Sequence, residues 1–361
     1  MTNRSPLPIT EVTTRSSLID ALKAGASQLI LLHHVATYGP ISDELYPLAP
    51  GILGWLYDYG RWAVQIFLVV AGYLTARSLL PASKTVETTL FQPIAKRYLR
   101  LIPPYLVALS IAMVCNAVAH PWLPEMELPT PPTWSQWFAH VILAQDFLGF
   151  SALSAGAWYI SIDFQLFVMM LVLVWLGKRA GKSVPWLLIS ALGLASLFGF
   201  NRYQSLDHSG LYFFAAYSLG AAAHAIGSAK RPLPWLLAVG AIVGLSLAID
   251  FRGRLLLAAG TALVLLYKDR FHLLNSKFLS RPIATLGRIS YALFLVHYPI
   301  YLLGNVVFVR FDAHGPAAAM GFALTVWICI MLAAGVFYRW VEFPCTQYGS
   351  RSKSTNPTGR M

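Results

Sequence analysis

Charge is what this sequence lacks most. Only 12% of its 361 residues are Asp, Glu, Lys or Arg, against about 25% in a typical soluble domain, while 57% are hydrophobic. A water-soluble core cannot hide that much apolar surface, so the bilayer has to act as solvent. Cysteine is scarce too. Cys115, Cys329 and Cys345 sit in or beside apolar runs without paired spacing, which excludes a disulfide framework and a CxxC metal site. The first 20 residues are polar and lack a continuous apolar core, so no cleavable signal peptide is expected. There is no glycine-rich phosphate loop, no HExxH or His/Cys metal spacing, and no Gly-x-Ser-x-Gly elbow. Neither a metal nor a tightly bound cofactor is expected. No internal repeat and no appended soluble domain is visible.

What is abundant is apolar length. Runs of roughly 17 to 25 apolar residues recur between charged punctuation. They place spans near 22–38, 62–80, 103–119, 158–176, 184–200, 210–227, 234–250, 254–267, 283–304 and 316–338, the eighth being short. The expected fold class is all-α: a polytopic integral membrane protein with about ten transmembrane helices. The basic residues orient it. With the N-terminus inside, 22 of the 27 Lys and Arg fall on the cytoplasmic side: Arg4, Arg15 and Lys23; Arg77, Lys84, Lys96, Arg97 and Arg100; Lys178, Arg179 and Lys182; Lys230 and Arg231; Lys268, Arg270, Lys277, Arg281 and Arg288; Arg339, Arg351, Lys353 and Arg360. Only Arg61, Arg202, Arg252, Arg254 and Arg310 fall outside. That asymmetry puts both termini in the cytoplasm and accounts for the net charge of +12 without a nucleic-acid partner.

One stretch resists this scheme. Residues 120–157 form a long outer connection rich in proline (Pro121, Pro124, Pro129, Pro131 and Pro132), and within it Trp134 to Phe150 is apolar but interrupted by Gln145 and Asp146. Were it to span, every later loop would invert and the charge rule would fail. It therefore reads as an interfacial or re-entrant helix anchored by Trp134 and Trp137. The chain divides into a cytoplasmic N-terminal segment (1–19), a membrane domain (20–344) and a polar, disordered cytoplasmic tail (345–361).

Ionisable groups inside spans are costly and so mark functional candidates. Lys23 and His34 are eleven residues apart, about three helical turns, so they share one face at a separation of about 16 Å. His33 is rotated from that stripe by about 100°. The plain alternative is a snorkelling lysine and two packed histidines. His297 lies about 21 Å along the ninth span from its cytoplasmic start, a depth similar to that of His34; it is either a packed residue beside the Pro299 kink or a group that stabilises acceptor or intermediate. Ser290 and Tyr291 either donate hydrogen bonds to substrate or join helices. Arg61 guides an acceptor or pairs with Asp58, and Glu342 pairs with a basic neighbour at the last helix end.

The order of several segments resembles the membrane-bound acyltransferase 3 family. Asp20-Ala21-Leu22-Lys23, ten further residues and His34 match its opening pattern. VQIFLVVAGYL (64–74) is similar to its second-span motif, KRYLRLIPPY (96–105) to its basic run before Pro-Tyr, and WYISIDFQ (158–165) to its Trp-Ser-Leu-x-x-Glu segment. LGRISYALFLVHYP (286–299) and YRWVEFP (338–344) are similar to its closing motifs. Ala71, Gln65 and Asp163 depart from the serine, carboxylate and glutamate that are usual there.

The resemblance implies transfer of an acyl group, most often acetyl, from cytoplasmic acyl-CoA to a hydroxyl of a carbohydrate or glycan, in the bacterial cytoplasmic (inner) membrane. It implies His34 as general base and Asp163 as the carboxylate that orients it. Lys23, Arg97 and Arg100 would hold the CoA phosphates. Trp158, Gln165, Ser290, Tyr291, His297 and Arg61 complete the expected substrate-binding set. The competing reading is a transporter or flippase of a glycan or lipid-linked sugar, since intramembrane His, Asp and Arg also mark transport paths. A receptor or scaffold would leave those ionisable groups unexplained.

Overall fold

The computed structural model describes residues 17–81, 90–123, 128, 131–268, 277–312 and 314–351. Arg4, Arg15, Lys84, Pro124, Pro129, Arg270, Lys353 and Arg360, with most of the expected N-terminal segment, lie outside these residues. The fold is all-α, with no strand among the described residues. Helices in chain order are α1 (Ser17–Thr37), α2 (Pro40–Leu45), α3 (Pro50–Tyr59), α4 (Val64–Leu79), α5 (Phe91–Ala119), α6 (Trp134–Val141), α7 (Ala157–Ala180), α8 (Val184–Phe198), α9 (Gly210–Gly227), α10 (Pro232–Ile249), α11 (Gly253–Leu266), α12 (Lys277–Arg310), α13 (Pro316–Phe337) and α14 (Phe343–Arg351).

Each of the ten segments expected to span is a helix: α1, α4, α5 and α7 to α13. Among the described residues, seven helical runs are long and apolar enough to cross a membrane; α11, with 14 residues, is apolar but short. Apolar side chains are spread around these helices rather than confined to a stripe. Helix α10 buries only Val243 and Ser246, and leaves Leu233, Trp235, Leu237, Leu245 and Ile249 exposed. A helix apolar all round with so little of it covered needs lipid as its solvent.

Two helix pairs frame the interior. Along the first, α1 and α12 run side by side in the same direction. Gly287 abuts Asp20 at one end so closely that a Cβ there would lie 2.7 Å from it. Farther along, Tyr301 Oη donates to the Val35 carbonyl at 3.1 Å, and Asn305 Oδ1 accepts from Ile41 N–H at 3.0 Å. In the second pair, α4 crosses α9 backbone to backbone: a Cβ on Gly72 would run into the Tyr217 carbonyl, and one on Gly220 into that of Val69. Small residues permit such approach, which is how helices associate where there is no hydrophobic drive between them. Outside these pairs, buried Arg252 ties α8, α10 and α11 together. It donates to the Leu197 carbonyl at 3.0 Å, to Ser246 Oγ at 2.6 Å and to Asn201 Oδ1 at 2.6 Å.

Residues 134–156 do not span. Helix α6 is one 8-residue element with a capping box between Thr133 and Gln136, and the chain after it folds inward. Val141 and Leu143 carbonyls accept from Tyr98 Oη at 2.8 Å and Ser161 Oγ at 2.7 Å; the Leu153 carbonyl accepts from Asn116 Nδ2 at 3.2 Å. Fully buried His140 donates from Nδ1 to the Gln136 carbonyl and accepts from Leu153 N–H at Nε2, a pair of bonds only the neutral ring can make. Burial holds its pKa below the usual histidine value. This segment is a hairpin whose irregular backbone is satisfied by protein.

The C-terminal boundary differs from expectation. A π-helical turn, Tyr338–Glu342, leads into α14, so residues 345–351 are helical rather than the start of a disordered tail. Pro344 does not stop the chain because it falls in the first turn of α14, where a missing N–H costs little.

The α4–α9 crossing generates a prediction. Gly72→Ala forces main chain apart and should destabilise the protein by about 1–3 kcal/mol. Gly240→Ala, on α10 with nothing within 4 Å of its Cβ, should leave stability unchanged or slightly raised. Unfolding midpoints of the two variants in one detergent check this; equal midpoints would refute the close crossing.

Candidate active site

A cavity of about 650 Å³ opens between the early turns of α1, α5 and α7, the Arg288–Phe294 stretch of α12, α4, and the Tyr338–Thr346 segment. By the charge asymmetry of the sequence this is the expected cytoplasmic end. Its walls carry four cations, Lys23, Arg97, Arg100 and Arg288, against two carboxylates, Asp163 and Glu342. The surplus of positive charge suits an anionic ligand. Farther in, the lining turns aromatic and apolar, with Phe67, Val70, Tyr159, Ile160 and Phe294. Such a gradient fits a molecule with a charged head and a slim apolar end.

Two charged centres structure the mouth. Arg97 Nη2 and Asp163 Oδ2 are 2.6 Å apart, with side chains 23% and 9% exposed, and the guanidinium also lies over the Phe167 ring at 5.0 Å. Glu342 is buried and faces the charges of Lys23 and Arg100. It owes this position to the π-helical turn, an irregularity that recurs at functional sites. Tyr291 lines the same wall and donates from Oη to the Leu101 carbonyl at 2.9 Å, next to Pro103 and Pro104 within α5.

Beyond Phe294 lies a cluster of imidazoles. His34 on α1 and His297 on α12 have ring centroids 4.8 Å apart; both are buried, at 9% and 1% exposure. His297 donates from Nδ1 to the Phe294 carbonyl at 2.8 Å, so in the neutral ring its Nε2 is a bare acceptor, and that atom is buried without a partner. The Nδ1 of His34 is likewise buried and unpartnered. The opposite face of His34 stacks on Tyr38 at 5.3 Å and 13°, which in turn meets Tyr298 edge-on at 6.0 Å. His33 points elsewhere: its Nδ1 donates to the Leu56 carbonyl of α3 at 2.9 Å, which secures the outer hairpin to α1.

Sequence and structure can now be compared residue by residue. Lys23, Arg97, Arg100, Asp163, Ser290 and Tyr291 all line the cavity, while His34 and His297 meet outside its lining, beyond Phe294. The expected hydrogen bond between Asp163 and His34 is absent: Asp163 is bound by Arg97, and Phe294 stands between the cavity and the imidazoles. The reason is side-chain reach, since Arg97 extends inward from the start of α5 and neutralises the carboxylate first. Gln165 does not face the cavity. Its amide spans from Ser161 Oγ to Gly210 N–H and clamps α7 to α9. Trp158 stacks on Phe213 at 5.7 Å, also away from the cavity. Arg61 is exposed on the 3-10 turn Gly60–Ala63, makes no ion pair with Asp58, and lies near His33. Arg288, Glu342 and Tyr159 were not expected in the site. Arg288 and Tyr159 stand inside the quoted motifs beside Ser290 and Asp163, a proximity in sequence that marked them.

The model of the acyltransferase 3 family, described as an acyltransferase domain, matches residues 17–334. The chain belongs to that family, and its acyltransferase domain coincides with the bundle of long apolar helices. A curated relative, "Regulator of hypoxia-inducible factor 1" from Caenorhabditis elegans, is 25% identical over 178 residues, 45% of this chain and 34% of that protein. The chain thus spans about a third of the length of the curated relative it matches. No solved structure matches.

The Arg97–Asp163 pair can be tested by a double-mutant cycle. Arg97→Gln and Asp163→Asn should each destabilise the protein, by about 1.5–3 kcal/mol for a charged hydrogen bond, while the double variant costs less than the sum. Additive losses in thermal unfolding would dissolve the pair as an energetic unit.

Proposed function

We propose that the protein transfers an acyl group, acetyl in the simplest case, from acyl-CoA to a hydroxyl of a carbohydrate or glycan, with His34 as general base. One observation carries this reading: adjacent helices α1 and α12 each place a cation at the cavity mouth and an imidazole beyond its inner end. Lys23 and His34 are eleven residues apart, about 16 Å along α1; Arg288 and His297 are nine apart, about 13 Å along α12. A donor with a polyphosphate head and a thin pantetheine arm matches that layout, its phosphates among Lys23, Arg97, Arg100 and Arg288 and its thioester near the histidines.

In this reading Asp163 keeps Arg97 in place for the donor rather than orienting the base. The partner of His34 is then His297, whose bare Nε2 can receive an Nδ1–H from His34 and leave the other imidazole nitrogen of His34 to accept the hydroxyl proton. In this reading the acceptor approaches His34 from the side of Tyr38, which stacks on it, and of Tyr298, which meets Tyr38. The setting for this reaction is the bacterial inner membrane, with the donor on the cytoplasmic side.

Purified protein should release CoA from acetyl-CoA only when a competent glycan acceptor is present. His34→Ala should abolish that release without loss of folding, whereas His33→Ala, which removes a tie to α3, should lower stability more than turnover. Arg100→Gln should raise the donor KM roughly tenfold or more, the worth of one charged hydrogen bond, with kcat little changed. Full activity in His34→Ala, or an unaltered donor KM in Arg100→Gln, would overturn the corresponding assignment.

A further inference from the structure

A second, much smaller void adjoins the cavity. It measures about 10 Å³, room for one water-sized group, and shares Phe294 and Ile160 with the larger cavity as lining. Its remaining wall is unusual for so small a space. The N-terminus of α7 faces it through Ser154, Gly156 and Ala157, and no side chain caps that 24-residue helix. Gly156 has φ +89°, and a Cβ there would lie 2.8 Å from the Phe294 ring, so the chain can turn this helix end toward α12 only with glycine. Across the void stands Tyr105 of α5, 2% exposed, whose hydroxyl is buried without any hydrogen-bond partner. Ser154 is also buried, at 8% exposure.

In the first turn of α7 the Ala157 and Tyr159 N–H groups already donate to the Ser154 and Gly156 carbonyls at 3.2 and 3.0 Å, so this helix start contributes chiefly the positive end of its dipole. The orphaned, buried phenol O–H of Tyr105 is the donor that folding has stripped of water. A bare donor and a positive dipole end at one water-sized space, within a wall shared with the thioester's cavity, suit a developing oxyanion.

We infer that this void is the oxyanion pocket of the acyl transfer, taking the thioester carbonyl oxygen between the Tyr105 hydroxyl and the first turn of α7. The inference rests on the acyl-CoA reading above. As the acceptor hydroxyl gives its proton to His34, its oxygen bonds to the carbonyl carbon and the C=O electron pair moves onto the oxygen in the void. When that pair returns, the C–S bond breaks, the ester is formed, and the proton held by imidazole passes to the departing thiolate as CoA thiol. Tyr105 touches only the reacting oxygen, so it contributes to the transition state and not to donor affinity.

The experiment measures acetyl-CoA turnover and donor KM in full-length protein in detergent, normalised to folded protein by thermal unfolding. Tyr105→Phe keeps the ring and removes the donor. It should lower kcat by about 100- to 1000-fold with the donor KM within about threefold. Ala108→Val keeps the hydroxyl but fills the void, and should depress kcat with a similarly unmoved KM; it decides the matter if Tyr105→Phe does not fold. Wild-type turnover with kcat preserved in either folded variant would show a site for a structural water only and overturn the pocket, while leaving the donor reading intact. Wild-type protein that neither binds nor turns over acetyl-CoA would sink the donor reading, and the pocket with it.

Discussion

The side-by-side packing of α1 on α12 is the constraint from which the site follows. Because the two helices run in the same direction, residues at equal depth meet: Asp20 with Gly287, His34 with His297, Val35 with Tyr301. A cation on each helix, Lys23 and Arg288, and an imidazole two to three turns on are thereby brought into two levels, one charged and one of neutral rings. Replacing either helix's register by one residue would rotate its imidazole by about 100° and separate the pair. The other elements complete this frame. Helices α4, α5 and α7 close the cavity, and the hairpin of residues 134–156 is held to α5 through the Val141 and Leu153 carbonyls and to α7 through that of Leu143.

Charge placement follows a consistent physical logic. An unpaired guanidinium facing a protein interior is expensive, and Asp163 offsets that cost for Arg97 while Phe167 covers its plane. Arg100 and Arg288 remain exposed at the mouth, where water stabilises them until an anion arrives. Neutral groups dominate deeper. The imidazoles, the Tyr105 hydroxyl and the α7 N-terminus are poor stabilisers of a resting charge, yet each is suited to a charge that exists only during reaction.

Much of the fold was legible in the sequence because apolar length and basic punctuation report directly on helices in lipid. The ten expected segments are all helices, and Gln145 and Asp146 correctly warned that 134–150 does not span. Helical periodicity also placed Lys23 and His34 on a common stripe. What periodicity cannot supply is the rotation of one helix against another, and there the reading of Asp163 failed: the resemblance paired it with His34, but lateral position gives it to Arg97. Trp158 and Gln165 were misplaced for the same reason, since alternate faces of α7 address the cavity and α9. Glu342 reaches the cavity through a π-helical turn that adds a residue to one helical turn, an event without a signature in hydrophobic pattern. The orphaned Tyr105 hydroxyl was equally invisible, because a lack of partners is a property of three-dimensional surroundings.

The glycine contacts between α4 and α9 bear on how the cavity can change shape. Side chains that interlock can hop between rotamers and let two helices slide by fractions of a turn. Main chain pressed on main chain, as at Gly72 and Gly220, has no rotamers to exchange. Helices α4 and α9 therefore form a single stiff plate, and Thr75 of one is further pinned to Tyr217 of the other at 2.8 Å. Any widening of the cavity must be taken up away from that plate, at the wall that α5 and the Tyr338–Thr346 segment line with side chains. The molecule has in effect a fixed jaw and a compliant one.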